Sequence, residues 1–250
     1  MMNYPLLLFI PSVLVLWLSA LLGSYLRRRR PLIEEERSDF EVVQTATLTL
    51  LALLVGFSFS MATTRYDLRK SYEEAEANAI GTEYVRADLL PPANATAVRD
   101  QLRQYTDLRI AFYRTRNRSE IQQINQATAQ LQSDMWSQVQ APAVAQPTPV
   151  ISLAVAGMND VLNSRGYTQA AWWNRIPTSA WGLLSISAIC CNILVGYGSR
   201  GTQASPRLLF VLPLVVSIAF LLIADIDSPR GGLIHVAPQN LVSLADSFHN

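Results

Sequence analysis

Apolar residues in this chain are gathered into four runs, at about residues 6–26, within 41–69, at 178–197 and at 208–224. A helix needs about twenty such residues to cross a hydrocarbon core roughly 30 Å thick. The second run carries the most information. Residues 41–69 read EVVQTATLTLLALLVGFSFSMATTRYDLR and pass without a proline into a charged helical stretch. At about 100° per residue, Thr45, Thr49, Ala52, Gly56, Ser60 and Thr63 share one narrow stripe, while Leu50, Leu51, Leu54, Val55, Phe57 and Met61 take the broad remainder. A small, weakly polar stripe in lipid either packs against a helix or faces water. Ala52, Gly56 and Ser60 have the small-xxx-small spacing of tight packing. The Thr and Ser residues at both ends, around an uncharged middle, equally fit a constriction that gates by dewetting between polar mouths.

The rest of the pattern is helical throughout. The first run is closed by the RRRR of residues 27–30, which reads as a stop signal at a membrane surface rather than the flank of a cleaved leader. Beyond Thr64, good helix formers continue to Leu90, where Pro91 and Pro92 intervene. Here Arg69 with Glu73 and Lys70 with Glu74 are four apart and pair on a solvated face that also holds Glu76; Tyr66, Tyr72, Ala75, Ala79 and Ile80 are expected on the inner side. Helices follow at 95–113, on Val98, Leu102, Tyr105 and Phe112, and at 119–140, on Ile121, Ile124, Leu131 and Met135, with Ser119 as N-cap. Residues 141–149, APAVAQPTP, read as a connector without helix, and 150–163 as a short helix. Trp172, Trp173 and Trp181 suit an interfacial aromatic belt. The tail turns on a Gly pair and ends in a short amphipathic helix.

These elements predict an all-α integral membrane protein with four transmembrane helices and a soluble helical insert between the second and third. Its segments are spans one and two at 1–63, the insert at 64–177, spans three and four at 178–225 and a polar tail at 226–250. Counted over the short loops, the positive-inside rule puts the insert outside the cell.

Composition agrees and removes most other readings. Half of the 250 residues are hydrophobic, 16% are charged and the net charge is +1, so nothing favours a nucleic-acid partner. The two cysteines, Cys190 and Cys191, are adjacent within an apolar run and read as packing residues. The histidines, His235 and His249, lie in the tail away from any ligand set, so neither a metal nor a cofactor is expected. GxSxG, HExxH, P-loop and dinucleotide motifs are absent, and an enzyme is not expected.

One acidic pair needs an explanation. Asp225 and Asp227 close the fourth span, where the helix dipole opposes anions and burial at the membrane boundary is costly. Arg65, Arg69 and Arg230 emerge on the same side, and a charge clamp locking the fourth span to the second explains the placement better than a cation site does.

The stretch RYDLRKSYEEAEANAIG after LLVGFSFSMA, and DIDSPRGGLI after the last span, resemble the bacterial bestrophin-like membrane proteins. Asp225, Asp227, Pro229, Gly232, Leu233 and Ile234 match that family's pattern, while Arg230 stands where an aromatic is expected. The resemblance implies a homo-oligomeric helical channel of the bacterial inner membrane, a pentamer, passing inorganic ions through a pore lined by the second span. It also implies a cytoplasmic insert, contrary to the charge rule. The competing reading is a non-conducting membrane scaffold or sensor whose insert binds a partner.

Overall fold

The computed structural model describes residues 5–199 and 206–248. Arg200 in the loop after the third span and His249 in the tail lie outside the described residues. Helices are the only regular elements among the described residues: α1 Pro5–Arg29, α2 Arg37–Arg86, α3 Pro92–Arg114, α4 Arg118–Ala145, α5 Pro149–Trp173, α6 Thr178–Gly198, α7 Pro206–Asp227 and α8 Gln239–Ser247. By length and composition four helical stretches can cross a membrane: most of α1, part of α2, the stretch ending in α6, and α7. The chain divides into two compact units. One comprises Met1–Arg65 and Arg175–His235, the other Tyr66–Asn174 and Val236–Asn250.

In the first unit, α1 packs on α6 and α7 around Leu16, Leu51, Ala188, Cys191 and Val216. The α1–α6 approach depends on two glycines facing each other's backbone. A Cβ on Gly23 would strike the carbonyl of Ile193, and one on Gly196 the carbonyl of Ala20. Small residues are how helices gain contact in lipid, where no hydrophobic drive brings them together. Trp17 meets Phe210 edge-on at 5.9 Å, and Trp181 meets Phe220 at 6.2 Å, closing α7 onto its neighbours. The first half of α2 joins through Leu51 and through the Cys191 thiol, which donates to the Thr47 carbonyl at 3.3 Å. Both cysteines are free.

In the second unit, the latter half of α2 with α3, α4, α5 and α8 encloses a core that includes Ile80, Val98, Leu102, Tyr105, Met135, Val139, Met158, Val161 and Leu241. The α3 stripe is the expected one. Four local expectations fail here. Residues 141–145 are helical, because α4 runs on to Ala145 with Pro142 buried inside it. Proline lacks the N–H that would bond the Gln138 carbonyl one turn back. The side-chain amide of Asn94 donates to that carbonyl instead, at 3.1 Å. α5 likewise continues past residue 163 to Trp173, starting where Thr148 accepts from the Ile151 N–H at 3.2 Å ahead of Pro149 in the first turn. The α4 cap is Asn117, which accepts from the Ser119 N–H at 3.0 Å, rather than Ser119 itself. Trp172 is a core residue, tilted against Phe112 and edge-on to Tyr113, not a belt residue, whereas Trp173 is 74% exposed.

The glycine contacts yield a direct test. Gly196→Leu places a side chain against backbone that cannot yield, and overpacking of this kind costs about 1–3 kcal/mol or more. A lowered thermal midpoint in detergent is expected for Gly196→Leu, and no change for Gly182→Ala, whose added methyl meets nothing within 4 Å.

Candidate functional site

The stripe on α2 is open. α2 is one helix of 50 residues, about 75 Å long at the α-helical rise. The side it turns to its own unit carries Leu51, Ser58 and Ala62, with Leu48 and Val55 partly covered. Thr45, Thr49, Ala52, Gly56 and Ser60 are exposed and Thr63 is half-buried, on a face roughly 130° around the helix from that packed side. A Cβ at Gly56 would meet nothing within 4 Å, so within one copy of the chain the small-xxx-small spacing packs no helix. A third face, with Leu50, Leu53 and Phe57, is large, apolar and exposed at 51%, 52% and 66%. The Thr49 hydroxyl donates to the Thr45 carbonyl at 2.9 Å and that of Thr63 to the Phe59 carbonyl at 3.1 Å. Each hydroxyl proton is thereby committed to the helix, which leaves oxygen lone pairs as the outward-facing polarity.

The acidic pair at the end of α7 sits in an unbroken buried stretch running from Ile223 through Pro229. Asp225 accepts the backbone N–H groups of Leu233 and Ile234, both at 2.8 Å, which folds the chain back over the helix end. That turn needs a residue without a side chain: a Cβ at Gly232 would lie 2.6 Å from the Asp225 carbonyl. Asp227 accepts the Ile176 N–H at 3.1 and 3.2 Å and lies 3.6 Å from Arg65 Nη1. The sequence-matched residues of DIDSPRGGLI therefore form one turn whose carboxylates are met by backbone donors and a guanidinium, so their buried oxygens are hydrogen-bonded. Arg230 is half-buried within the same turn, and Arg69 belongs to the second unit, where its Nε donates to the Ala171 carbonyl at 3.4 Å.

The solvated face expected for Arg69, Glu73 and Glu76 is in fact the inner face of the second unit. Arg69, Glu73, Glu76, Ile80, Glu83 and Ala87 recur at threes and fours and are all buried, while Glu74 and Ala75 are exposed. Glu76 is paired with Arg109 of α3, Nε to Oε1 at 2.5 Å, with 0% and 1% of the side chains exposed. Thr168 donates to its other oxygen at 3.2 Å. The guanidinium of Arg109 also lies 4.4 Å from the Phe112 ring centroid. Burial, reinforced by the nearby Glu76 charge, pushes the phenols of Tyr105 and Tyr113 above their ordinary value, so both stay neutral. Glu73 accepts the Leu241 N–H at 2.9 Å and the Asn240 amide at 2.6 Å, placing an anion at the N-terminus of α8. One signal in the sequence pointed to this network: Arg109 falls on the apolar stripe of α3, and a cation there needs a buried anion. Among the described residues no cluster of metal-ligating side chains occurs, and His235 is exposed.

A bestrophin-like domain model matches residues 9–241 of the chain. A crystal structure of a bacterial bestrophin homolog from Klebsiella pneumoniae superposes with a TM-score of 0.64 at 14% identity, covering 96% of this chain and 95% of that one. A variant of that homolog gives 0.66 at 13% identity over 96% of each chain. A crystal structure described as a membrane protein gives 0.67 at 13% identity, over 96% of this chain and 95% of the other. No curated protein matches the chain in sequence.

Two substitutions probe the buried charges. Arg109→Met strands Glu76 and is expected to cost ~3–5 kcal/mol, whereas the double variant Glu76→Leu with Arg109→Met recovers much of the loss, in a thermal-unfolding cycle. Asp227→Asn weakens the Arg65 contact; reduced thermal stability or assembly in detergent is the expected outcome, and unchanged values for both would remove the clamp.

Proposed function

The chain belongs to the bestrophin-like family, and on that premise we propose that it is a homo-oligomeric channel of the bacterial inner membrane that conducts inorganic ions passively. Its pore is lined by the stripe of α2, with membrane lipid around the outer helices. The observation that carries this reading is the exposure of Thr45, Thr49, Ala52, Gly56 and Ser60, on a face that none of the described residues of the same copy covers. One such stripe encloses nothing. Several copies around an axis, five by the family resemblance, enclose a path with hydroxyls at each end and Ala52 and Gly56 between them. Residues 42–64 contain no charged side chain. Such a constriction gates by wetting, and of the charged groups at its ends, Glu41 or Arg65, charge selection falls to Glu41, because Arg65 is turned to Asp227. The second unit is the soluble part in this reading.

Ion flux into proteoliposomes tests the proposal. Wild-type protein is expected to conduct. Gly56→Leu, which adds a branched side chain per subunit at the narrow level, is expected to abolish flux, and Thr49→Val to change selectivity or rate. Flux indistinguishable from empty vesicles would instead favour the scaffold or sensor, and flux insensitive to Gly56→Leu would move the pore off this face. A monomer in detergent would contradict the assembly itself.

A further inference from the structure

Most of the buried charges in the second unit are matched, but Glu83 is not. Its side chain is on the inner face of α2 with 0% of the residue exposed, and neither carboxylate oxygen has a hydrogen-bond partner. The fold makes room for it: a Cβ on Gly157 of α5 would collide with Glu83 Oε2. Arg86 lies beside the same point of Gly157, but its Nη1 donates to the Leu153 carbonyl of α5 at 3.5 Å rather than to Glu83. The charges that act on Glu83 are Arg86 from its own helix and Asp160 from α5; α3, α4 and α8 add none among the described residues. An ionised carboxylate in such a position would forfeit its hydration with only the Arg86 charge, opposed by Asp160, to offset the loss, whereas the neutral acid would not.

We propose that Glu83 is a proton-binding site that links the packing of α2 against α5 to pH. In the closed arrangement the carboxyl carries its proton. On losing it, the carboxylate must be hydrated, which loosens the contact at Gly157. Burial pushes this carboxyl up to about 8 from 4.5, with Arg86 lowering and Asp160 raising it. Between those values the folded state holds a proton that the unfolded chain has released. The contribution of Glu83 to stability is therefore greatest below pH 4.5, falls as pH rises toward about 8, and levels off above it. This device is independent of whether the protein conducts, because it acts within the second unit.

Infrared difference spectroscopy of the full-length protein in detergent reads the proton directly. A protonated-carboxyl C=O band is expected near neutral pH, lost with a midpoint near 8 and missing from Glu83→Gln. In Asp160→Asn, at an exposed position, the midpoint is expected to move down, because a neighbouring negative charge is gone. Thermal midpoints between pH 5 and 8 are expected to fall in wild type and to fall less in Glu83→Gln. No titrating band in the wild-type protein would overturn the proposal, even if Glu83→Gln failed to fold. So would a midpoint unmoved by Asp160→Asn, or parallel stability slopes in wild type and Glu83→Gln.

Discussion

One unbroken helix has to serve two units with opposite packing chemistry. α2 runs for 50 residues, and over its first half it must offer apolar surface, while over its second half it carries buried charge on its inner face. A helix can do this because all its backbone hydrogen bonds are internal, so only side chains change between the regimes. In the first unit its packed side is Leu51, Ser58 and Ala62; in the second it is Arg69, Glu73, Glu76, Ile80 and Glu83. The periodicity is the same and the chemistry is reversed.

Burying those charges is tolerable only where each finds a partner. Glu76 has Arg109 and Thr168, Glu73 has the start of α8, and in the first unit Asp225 and Asp227 have backbone donors and Arg65. Replacing such a pair by apolar side chains is often neutral, while breaking it is not, so these contacts specify which surfaces meet more than they add stability. Glu73 shows this well: its carboxylate fixes where the C-terminal segment docks. Glu83 departs from the rule, and an unmatched acid is compatible with the fold only in its neutral form.

Much of the architecture could be read from the residues. The four apolar runs, the small-residue stripe, the end of the long helix before Pro91 and Pro92, and the α3 stripe all follow from periodicity that one strand of sequence displays. What could not be read was tertiary compensation. A proline ordinarily stops a helix, and nothing adjacent to Pro142 announces that Asn94, on another helix, takes over the freed carbonyl. A row of Arg and Glu at helical spacing ordinarily marks a wet face, and only a partner such as Arg109 on a separate helix makes it a core. In the candidate pore face the ambiguity was different. The same small residues serve packing or a lumen, and their exposure within one copy depends on which side of α2 its own neighbours occupy.

In the proposed channel the Thr45 to Thr63 stripe borders water while the Leu50, Leu53 and Phe57 face does not. Single cysteines placed along α2 in a Cys190→Ser, Cys191→Ser background, probed in membranes with a membrane-impermeant thiol reagent, measure this directly. Labelling should peak at positions 45, 49, 52, 56 and 60, at the helical repeat, and be low at 50, 53 and 57. Labelling confined to the latter three, or equal around the helix, would contradict it.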